Sequence, residues 1–342
     1  MSTVPRTLVA MSGGVDSSVA AALLIEQGHD VTAVTLKLWG GASDSGCCSV
    51  SDVEDARRVA AQLGIPHYVF NYSDDFTTSV VEPYVDAYTA GTTPNPCVEC
   101  NRSIKFGRLL TRATTLGFDL VATGHHARIA REGSGLRLCR GADRAKDQSY
   151  VLFMLGQREL ARTVLPVGAL TKHEVRERAA ALGLRTAAKP ESMDVCFIQR
   201  GGRAAFLAER SEPRAGTIVD TSGAVVGRHP GVASFTVGQR RGTGVAVGER
   251  RYVVDIDAAS ATVTLGTRAD LLRDAVELRD VSFVGDPVQG ALAAQVRAHG
   301  TPVAATLSGS TVRFAEPQAR VAPGQVVALY DGDALVAGGI AA

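Results

Sequence analysis

Apolar and polar positions along the first 125 residues alternate between a strand period and a helix period. TLVAM is a short apolar run, SGGVDS a turn, and SSVAAALLIEQG an Ala- and Leu-rich helix ending at Gly28. The unit then repeats. VTAVTLKL reads as a second strand, Ser51 followed by Glu54 as a capping box opening the helix DVEDARRVAAQLG, and PHYVF as a third strand. DLVATGHH reads as a fourth. Strands separated by helices long enough to cross over predict an α/β domain with a parallel sheet and helices on both faces, whose ligands bind at the carboxyl ends of the strands. SGGVDS and the dipeptide Gly124-His125 both fall at such ends.

From about Gly201 the pattern changes to short alternating strands with Gly- and Pro-rich turns, as in GTIVDTSGAVVG, RYVVDIDAASATVTLG and QVVALYDGDALVAGG. This half is mostly β, and Asp331-Gly332 between two apolar runs is a hairpin signal. The expected organisation is an α/β domain over residues 1–200, a small mostly β central domain over 201–272 and a C-terminal β-barrel over 273–342. No internal repeat or low-complexity tract interrupts it.

Composition narrows the class. The 342 residues carry 36 Lys and Arg against 35 Asp and Glu and are 45% hydrophobic, a globular profile that excludes a disordered chain. No apolar run approaches the roughly 20 residues of a membrane span, and MSTVPRTLVAMSGG lacks a signal peptide's layout, so the expected location is the cytoplasm. Six cysteines (47, 48, 97, 100, 139 and 196) are too sparse for a disulfide framework, and their grouping points to redox or metal chemistry.

Charge is unevenly spread. Residues 1–99 hold 4 basic and 12 acidic side chains, whereas residues 100–146 hold 10 and 3. An acidic block followed by a basic one suggests a surface that attracts polyanions beside one that does not. Arg102, Lys105, Arg108 and Arg112, at spacings of three, three and four, form one stripe if their segment is helical, a pattern shared by solvated helix faces.

The strongest local signal is Ser12-Gly13-Gly14-Val15-Asp16-Ser17 between a strand and a helix. Two glycines let the backbone turn tightly and aim N–H groups at an anion, the helix adds its positive end, and Ser12 and Ser17 offer hydroxyls. No Lys follows the glycines, so this is not a G-x-x-x-x-G-K-[ST] loop, and the G-x-G-x-x-G spacing is absent. The bland alternative is a helix-capping turn. In TPNPCVECN two prolines stiffen a loop ending where the basic helix begins, and a cysteine at a helix start beside cations is a candidate thiolate, here Cys100. Zinc or an iron–sulfur cluster on Cys47, Cys48, Cys97 and Cys100 is the alternative, and an inert buried thiol is the alternative for Cys196.

The loop SGGVDS resembles the PP-loop of N-type ATP pyrophosphatases, which cleave ATP between its α- and β-phosphates. SGGVDSSVAA, TPNPCVECNRSIKFG, ATGHHARI, KDQSYVLF and ESMDVCFIQR together occur in the order and approximate spacing of the tRNA-specific 2-thiouridylases. The resemblance continues through GVASFTVGQRRGTGV, YVVDID and RFAEPQARVAPGQVVALY, so it covers nearly the whole chain. It implies an adenine nucleotide α-hydrolase-like fold for the first domain. It also implies an enzyme that adenylates the C2 oxygen of the wobble uridine of tRNA for Lys, Glu and Gln, then replaces that oxygen by sulfur, releasing AMP and pyrophosphate.

Carried over by position, Ala10, Met11, Ser12, Gly13, Gly14, Val15, Asp16 and Ser17 match the ATP-binding segment, joined by Leu36 and Gly124. Cys196 matches the persulfide carrier, and Cys100 the nucleophile that frees its sulfur or closes a Cys100–Cys196 disulfide. Asn95, Pro96 and Cys97 match the stretch that meets the target base. The family often has Asp at the position of Cys97, which leaves this thiol a spectator, a substitute base or a disulfide partner for Cys100. His125, Lys146, Asp147, Gln148, Arg297 and Gln325 match tRNA contacts, although Ala298 stands where the family has a ring. The implied partners are tRNA and a persulfide sulfur-carrier protein or cysteine desulfurase, with Mg²⁺ arriving on ATP, no dedicated metal site, no membrane contact and a monomeric chain. Another PP-loop enzyme, such as an amidotransferase-type synthetase or a cytidine-modifying tRNA ligase, would need SGGVDS but neither Cys100 nor Cys196. A non-catalytic tRNA-binding protein would need none of the three.

Overall fold

The computed structural model describes residues 4–39, 49–133, 135–190, 195–198, 202–246 and 248–342. The first four strands fold as read: β1 (Arg6–Ala10), β2 (Asp30–Lys37), β3 (His67–Asn71) and β4 (Leu120–Thr123). All pair in parallel, in the order β3, β2, β1, β4. The helix after β1, α1 (Val15–Glu26), is buried from Val19 to Leu24 without a break, which its run of Ala, Leu and Val permits on every face. Gly28, at φ +81°, ends it.

The helix after β2, α2 (Val50–Gln62), corrects the capping expectation. Ser49, not Ser51, is the N-cap: its Oγ accepts from the Asp52 amide at 3.1 Å and donates to the Asp52 carboxylate at 2.7 Å. Ser51 sits in the first turn with its hydroxyl 2.8 Å from that of Ser49, and Glu54 faces Arg57 instead of the cap. The helix starts two residues early because Asp52 supplies the acidic partner that Glu54 was expected to supply.

A hairpin of β5 (Ala127–Glu132) and β6 (Gly135–Arg140) leaves the sheet after β4 before β7 (Thr163–Val164) rejoins it beside β4. The central region holds a four-stranded sheet of β8 (Gly216–Asp220), β9 (Val225–His229), β10 (Tyr252–Asp257) and β11 (Thr262–Gly266). Beyond it lie β12 (Leu272–Phe283), β13 (Gly290–Gln295), β14 (Val303–Ser308), β15 (Thr311–Ala319), β16 (Val326–Asp331) and β17 (Ala334–Ala341). Because β12 pairs with both β15 and β17, these six close into a barrel. The hairpin expected at Asp331-Gly332 forms, with Asp331 opposite Ala334 and Gly332 at φ +55° opening the two-residue turn.

The β5–β6 hairpin extends the barrel sheet by pairing with β17, so residues 127–140 belong to the C-terminal sheet. Alternation alone carries no signal for that partner. The joint is a buried ion pair: Arg140 donates to Asp147 Oδ2 at 2.9 Å and to Gln295 at 2.7 Å, with its guanidinium 3.5 Å from the centre of the Tyr330 ring. Asp147 also accepts from the amides of Gly141 and Ser149, and the Ser149 hydroxyl bonds to that of Tyr330 at 2.9 Å. Replacing Arg140 by Met strands a buried carboxylate. The variant is therefore expected to lose about 3–5 kcal/mol in denaturant unfolding, and an unchanged midpoint would remove this pair from its structural role.

Candidate active site

The turn SGGVDS sits at the carboxyl end of β1, between neighbours β2 and β4 that lie on opposite sides of it. That is the crevice of an open α/β sheet. Gly13 adopts φ +72°, and a Cβ there would stand 2.3 Å from the carbonyl oxygen of Asp52, so the loop lies directly on the first turn of α2. Gly14 is the N-cap of α1 and supplies no side-chain cap, which leaves the amides of that first turn facing the loop. Ser17 Oγ accepts from the Ser12 amide at 3.2 Å and lies 3.4 Å from the Ser12 hydroxyl, folding the loop into a cradle. Gly124, after β4, touches the same turn: a Cβ there would lie 2.7 Å from the Ser17 nitrogen. Ala10 and Met11 lead into the loop, and Met11 is locked to β2 by its amide on Val34 and by the Thr35 hydroxyl on its carbonyl.

Asp16 and Val15 open α1, and Asp16 is the hub of a network that sequence reasoning missed. Lys172 Nζ donates to both Asp16 oxygens at 2.7 Å, and His126 Nε2 lies 3.1 Å from Oδ1. Burial pushes the Asp16 carboxyl up, but the hydrogen bonds from His126 and Lys172 and the Lys172 charge outweigh it and hold its pKa below the ordinary value. Lys172 is the first residue of a helix, Lys172–Ala181, opened by a capping box of Thr171 and Glu174. The sequence signal was the T-x-x-E pattern at 171–174. A second cation, Lys189, bonds Asp52 and Asp55 at 2.6 Å each, at the start of α2.

The TPNPC loop enters a helix earlier than expected. It begins at Pro96, capped by Asn95, whose Oδ1 accepts from the Cys97 amide at 3.1 Å, and runs through Pro96–Glu99, Cys100–Leu109 and Leu110–Thr115. Cys97, not Cys100, therefore occupies the N-terminal turn. Cys97 is exposed and Cys100 is buried. Cys196 packs against the same apolar cluster that contains Cys100, Leu36 and Phe197. Phe197 anchors its segment between Tyr84 (centroids 5.3 Å apart), Phe206 (5.3 Å) and Phe76 (5.7 Å). Two cysteines that sequence alone could not relate thus border one apolar cluster. Cys97, Cys100, Cys139 and Cys196 are thiols, while Cys47 and Cys48 lie outside the described residues. Among the described residues no three His, Cys, Asp or Glu side chains converge as metal ligands.

The positions matched to tRNA contacts fall in two regions. His125 is buried beside Phe106 and bonded to the Thr123 hydroxyl at 2.7 Å; its burial, with Lys105 and His126 nearby, drives its pKa well below the ordinary value, so the ring is neutral at pH 7. Asp147 is committed to Arg140, and Gln148 bonds the backbone of His126, whereas neighbouring Lys146 is half-buried. Arg297 and Gln325 instead line a cavity of about 510 Å³ where the three parts of the chain meet, with Thr93, Arg203, Gln239 and Arg320. Gln325 Nε2 donates to the Thr93 carbonyl at 2.6 Å, and the Thr93 amide donates to Pro323 at 2.7 Å, so a barrel turn clasps the loop two residues before Asn95.

The basic stripe does not form as one row. Residues Cys100–Leu109 are wound as a π-helix, whose i→i+5 bonding shifts positions three apart off one face. Arg102 pairs with Glu99, Arg108 with Asp75, and Arg112 lies over the Phe70 ring.

Three family models match in succession: a tRNA methyl transferase HUP domain over residues 5–200, a tRNA methyl transferase PRC-barrel domain over 204–267 and an aminomethyltransferase beta-barrel domain over 273–341. They define the class, a HUP α/β domain carrying two β modules. Proteins from Roseiflexus sp. (strain RS-1), Chloroflexus aurantiacus and Geobacter metallireducens, each named tRNA-specific 2-thiouridylase MnmA, are 49%, 50% and 46% identical to it. The alignments cover 98% of this chain and 98%, 97% and 96% of those proteins. The chain belongs to the tRNA-specific 2-thiouridylase MnmA family.

The Asp16–Lys172 pair has a pH signature. A carboxyl whose folded pKa is depressed contributes stability above its unfolded value and loses it as pH falls through the folded one. Lys172→Met is therefore expected to cost about 1.5–3 kcal/mol at pH 7, with the gap to the parent closing as pH drops below about 4. Urea titrations at pH 7 and pH 3 check this, and a gap that persists at low pH would contradict it.

Proposed function

We propose that this protein is a tRNA sulfurtransferase that converts the wobble uridine of tRNA for Lys, Glu and Gln to 2-thiouridine with ATP and persulfide-derived sulfur. The observation that carries the reading is the joint arrangement of an anion cradle at the crevice and two cysteines in one apolar cluster, with Leu36 packed in that cluster and Gly124 against the cradle. Ser12 to Ser17 hold the phosphates of ATP, with Mg²⁺ carried on them, and the α-phosphorus is left open to the uridine C2 oxygen. That oxygen leaves as AMP once sulfur attacks. Cys196 carries the sulfur as a persulfide delivered by a carrier protein or a cysteine desulfurase. Cys100 attacks the Cys196 Sγ, so the outer sulfur departs as hydrosulfide and a Cys100–Cys196 disulfide forms.

Asn95, Pro96 and Cys97 meet the target base, which is read once it is splayed out of the anticodon loop. Arg297 contacts tRNA from the cavity; Gln325 and Asp147 serve it by holding the Thr93 loop and the β5–β6 hairpin. Residues 1–200, 201–272 and 273–342 are the working domains of a cytoplasmic monomer. Methyl transfer, the chemistry named by two of the family models, calls for neither a phosphate cradle nor paired cysteines.

The direct test incubates unmodified tRNA for Glu with this protein, ATP, Mg²⁺ and a persulfide-generating system, and reads nucleosides by mass spectrometry. ATP-dependent 2-thiouridine is expected, and Cys100→Ser should lower its formation at least about a thousandfold. Unchanged product with that variant would end the thiolation reading. Affinity for tRNA should also fall about a thousandfold between roughly 50 and 200 mM salt if six phosphates are contacted; a flat salt response would count against an electrostatic tRNA surface.

A further inference from the structure

The disulfide left after each turnover would lie in a poor place for renewal. Cys100 is 7% exposed and Cys196, half-buried, packs on the same cluster, so a protein reductant reaches this pair less readily than it reaches the exposed Cys97. Thiol–disulfide exchange needs a thiolate to reach one sulfur in line with the other. Cys97 is exposed, and it stands three residues before Cys100 in one continuous helix. Helical spacing puts the two Cα atoms about 5 Å apart, inside the window a disulfide spans. The Asn95 cap on the Cys97 amide fixes this first turn, and the Gln325 and Pro323 contacts fix the loop before it.

We propose that Cys97 moves the disulfide from the Cys100–Cys196 pair to the surface. This rests on the roles given above to Cys100 and Cys196. The Cys97 thiolate attacks the Cys100 Sγ; the Cys100–Cys196 bond breaks, a Cys97–Cys100 bond forms, and Cys196 leaves as a thiolate that takes up the proton Cys97 gave away. One disulfide replaces another, so no oxidant enters. Cys196 is then ready for the next persulfide, while a cellular dithiol reductant attacks the exposed Cys97 sulfur and is itself oxidised to a disulfide as Cys97 and Cys100 return to thiols. A helix-borne Cys97-x-x-Cys100 pair with one exposed and one buried sulfur suits that division of labour.

The test loads the full-length protein with persulfide, adds ATP, Mg²⁺ and tRNA for Glu without reductant, quenches with an alkylating agent after one turnover, and maps peptides by non-reducing mass spectrometry. The parent protein should carry a Cys97–Cys100 link with alkylated Cys196, and Cys97→Ser a Cys100–Cys196 link. Under multiple turnover with a protein dithiol reductant, Cys97→Ser should be at least tenfold slower, and excess dithiothreitol, small enough to reach a half-buried disulfide, should restore most of the rate. A structural or base-binding defect would not respond to the size of the reductant. A parent protein that keeps only a Cys100–Cys196 link, or a variant that matches it with the protein reductant, overturns the proposal. If 2-thiouridine forms with no link among the three cysteines, the roles of Cys100 and Cys196 fail first, and the proposal falls with them.

Discussion

At the carboxyl end of the parallel sheet, backbones touch where side chains would normally intervene. Gly13 lies against the Asp52 carbonyl and Gly124 against the Ser17 amide, each so close that a Cβ would fall within 2.7 Å of the opposing atom. Real Cβ contacts do not come that near, so these approaches exist only because both positions are glycine. They bring the ends of β1 and β4 and the first turns of α1 and α2 into one small volume. The consequence is a turn of helix amides without a side-chain cap, a folded Ser12–Ser17 contact and a short path to β4, an arrangement suited to an anion.

The thiol half of the site rests on different physics. Apolar burial, not backbone contact, sets Cys196 and Cys100 on one cluster, with the Phe197 ring inserted among Tyr84, Phe76 and Phe206. The loop ahead of Cys97 is held from a third direction by the barrel turn at Pro323 to Gln325. The barrel is therefore part of the site's scaffold, and the β5–β6 hairpin, locked by Arg140 and Asp147, ties it back to the strand that carries Gly124.

Much of this was legible in the sequence, and the exceptions have physical causes. Strand runs and crossover helices in the first 125 residues are local patterns, and so is the turn at Gly332; each folds where its period says. Ser49 was missed because two serines compete for one cap and the deciding partner, Asp52, offers both an amide and a carboxylate. The arginine stripe assumed 3.6 residues per turn, which a π-wound segment does not have. Lys172 lies 156 residues from Asp16, and the docking of β6 on β17, which pairs Cys139 with Ala334, spans more still. No periodicity encodes such contacts. The sharing of one apolar cluster by Cys100 and Cys196 is of the same kind, long-range and visible only once Phe197 has found its cage.

The Asp16 network explains how an acidic side chain can sit at the opening of an anion site. A carboxylate in the first turn of α1 would compete with a phosphate for the positive end of the helix. Lys172 takes both carboxylate oxygens and His126 adds a third contact, so the charge is answered from the side while the Gly14 end of the helix carries no capping group. Burial raises the Asp16 pKa, yet the hydrogen bonds and charge of Lys172 and His126 together leave it below the ordinary value. A lysine placed directly after the glycines would have claimed the phosphates themselves. Here the cation is bound to the protein's own carboxylate, and the turn is left with backbone amides and serine hydroxyls, groups that would grip a phosphate by hydrogen bonds and release it without breaking an ion pair.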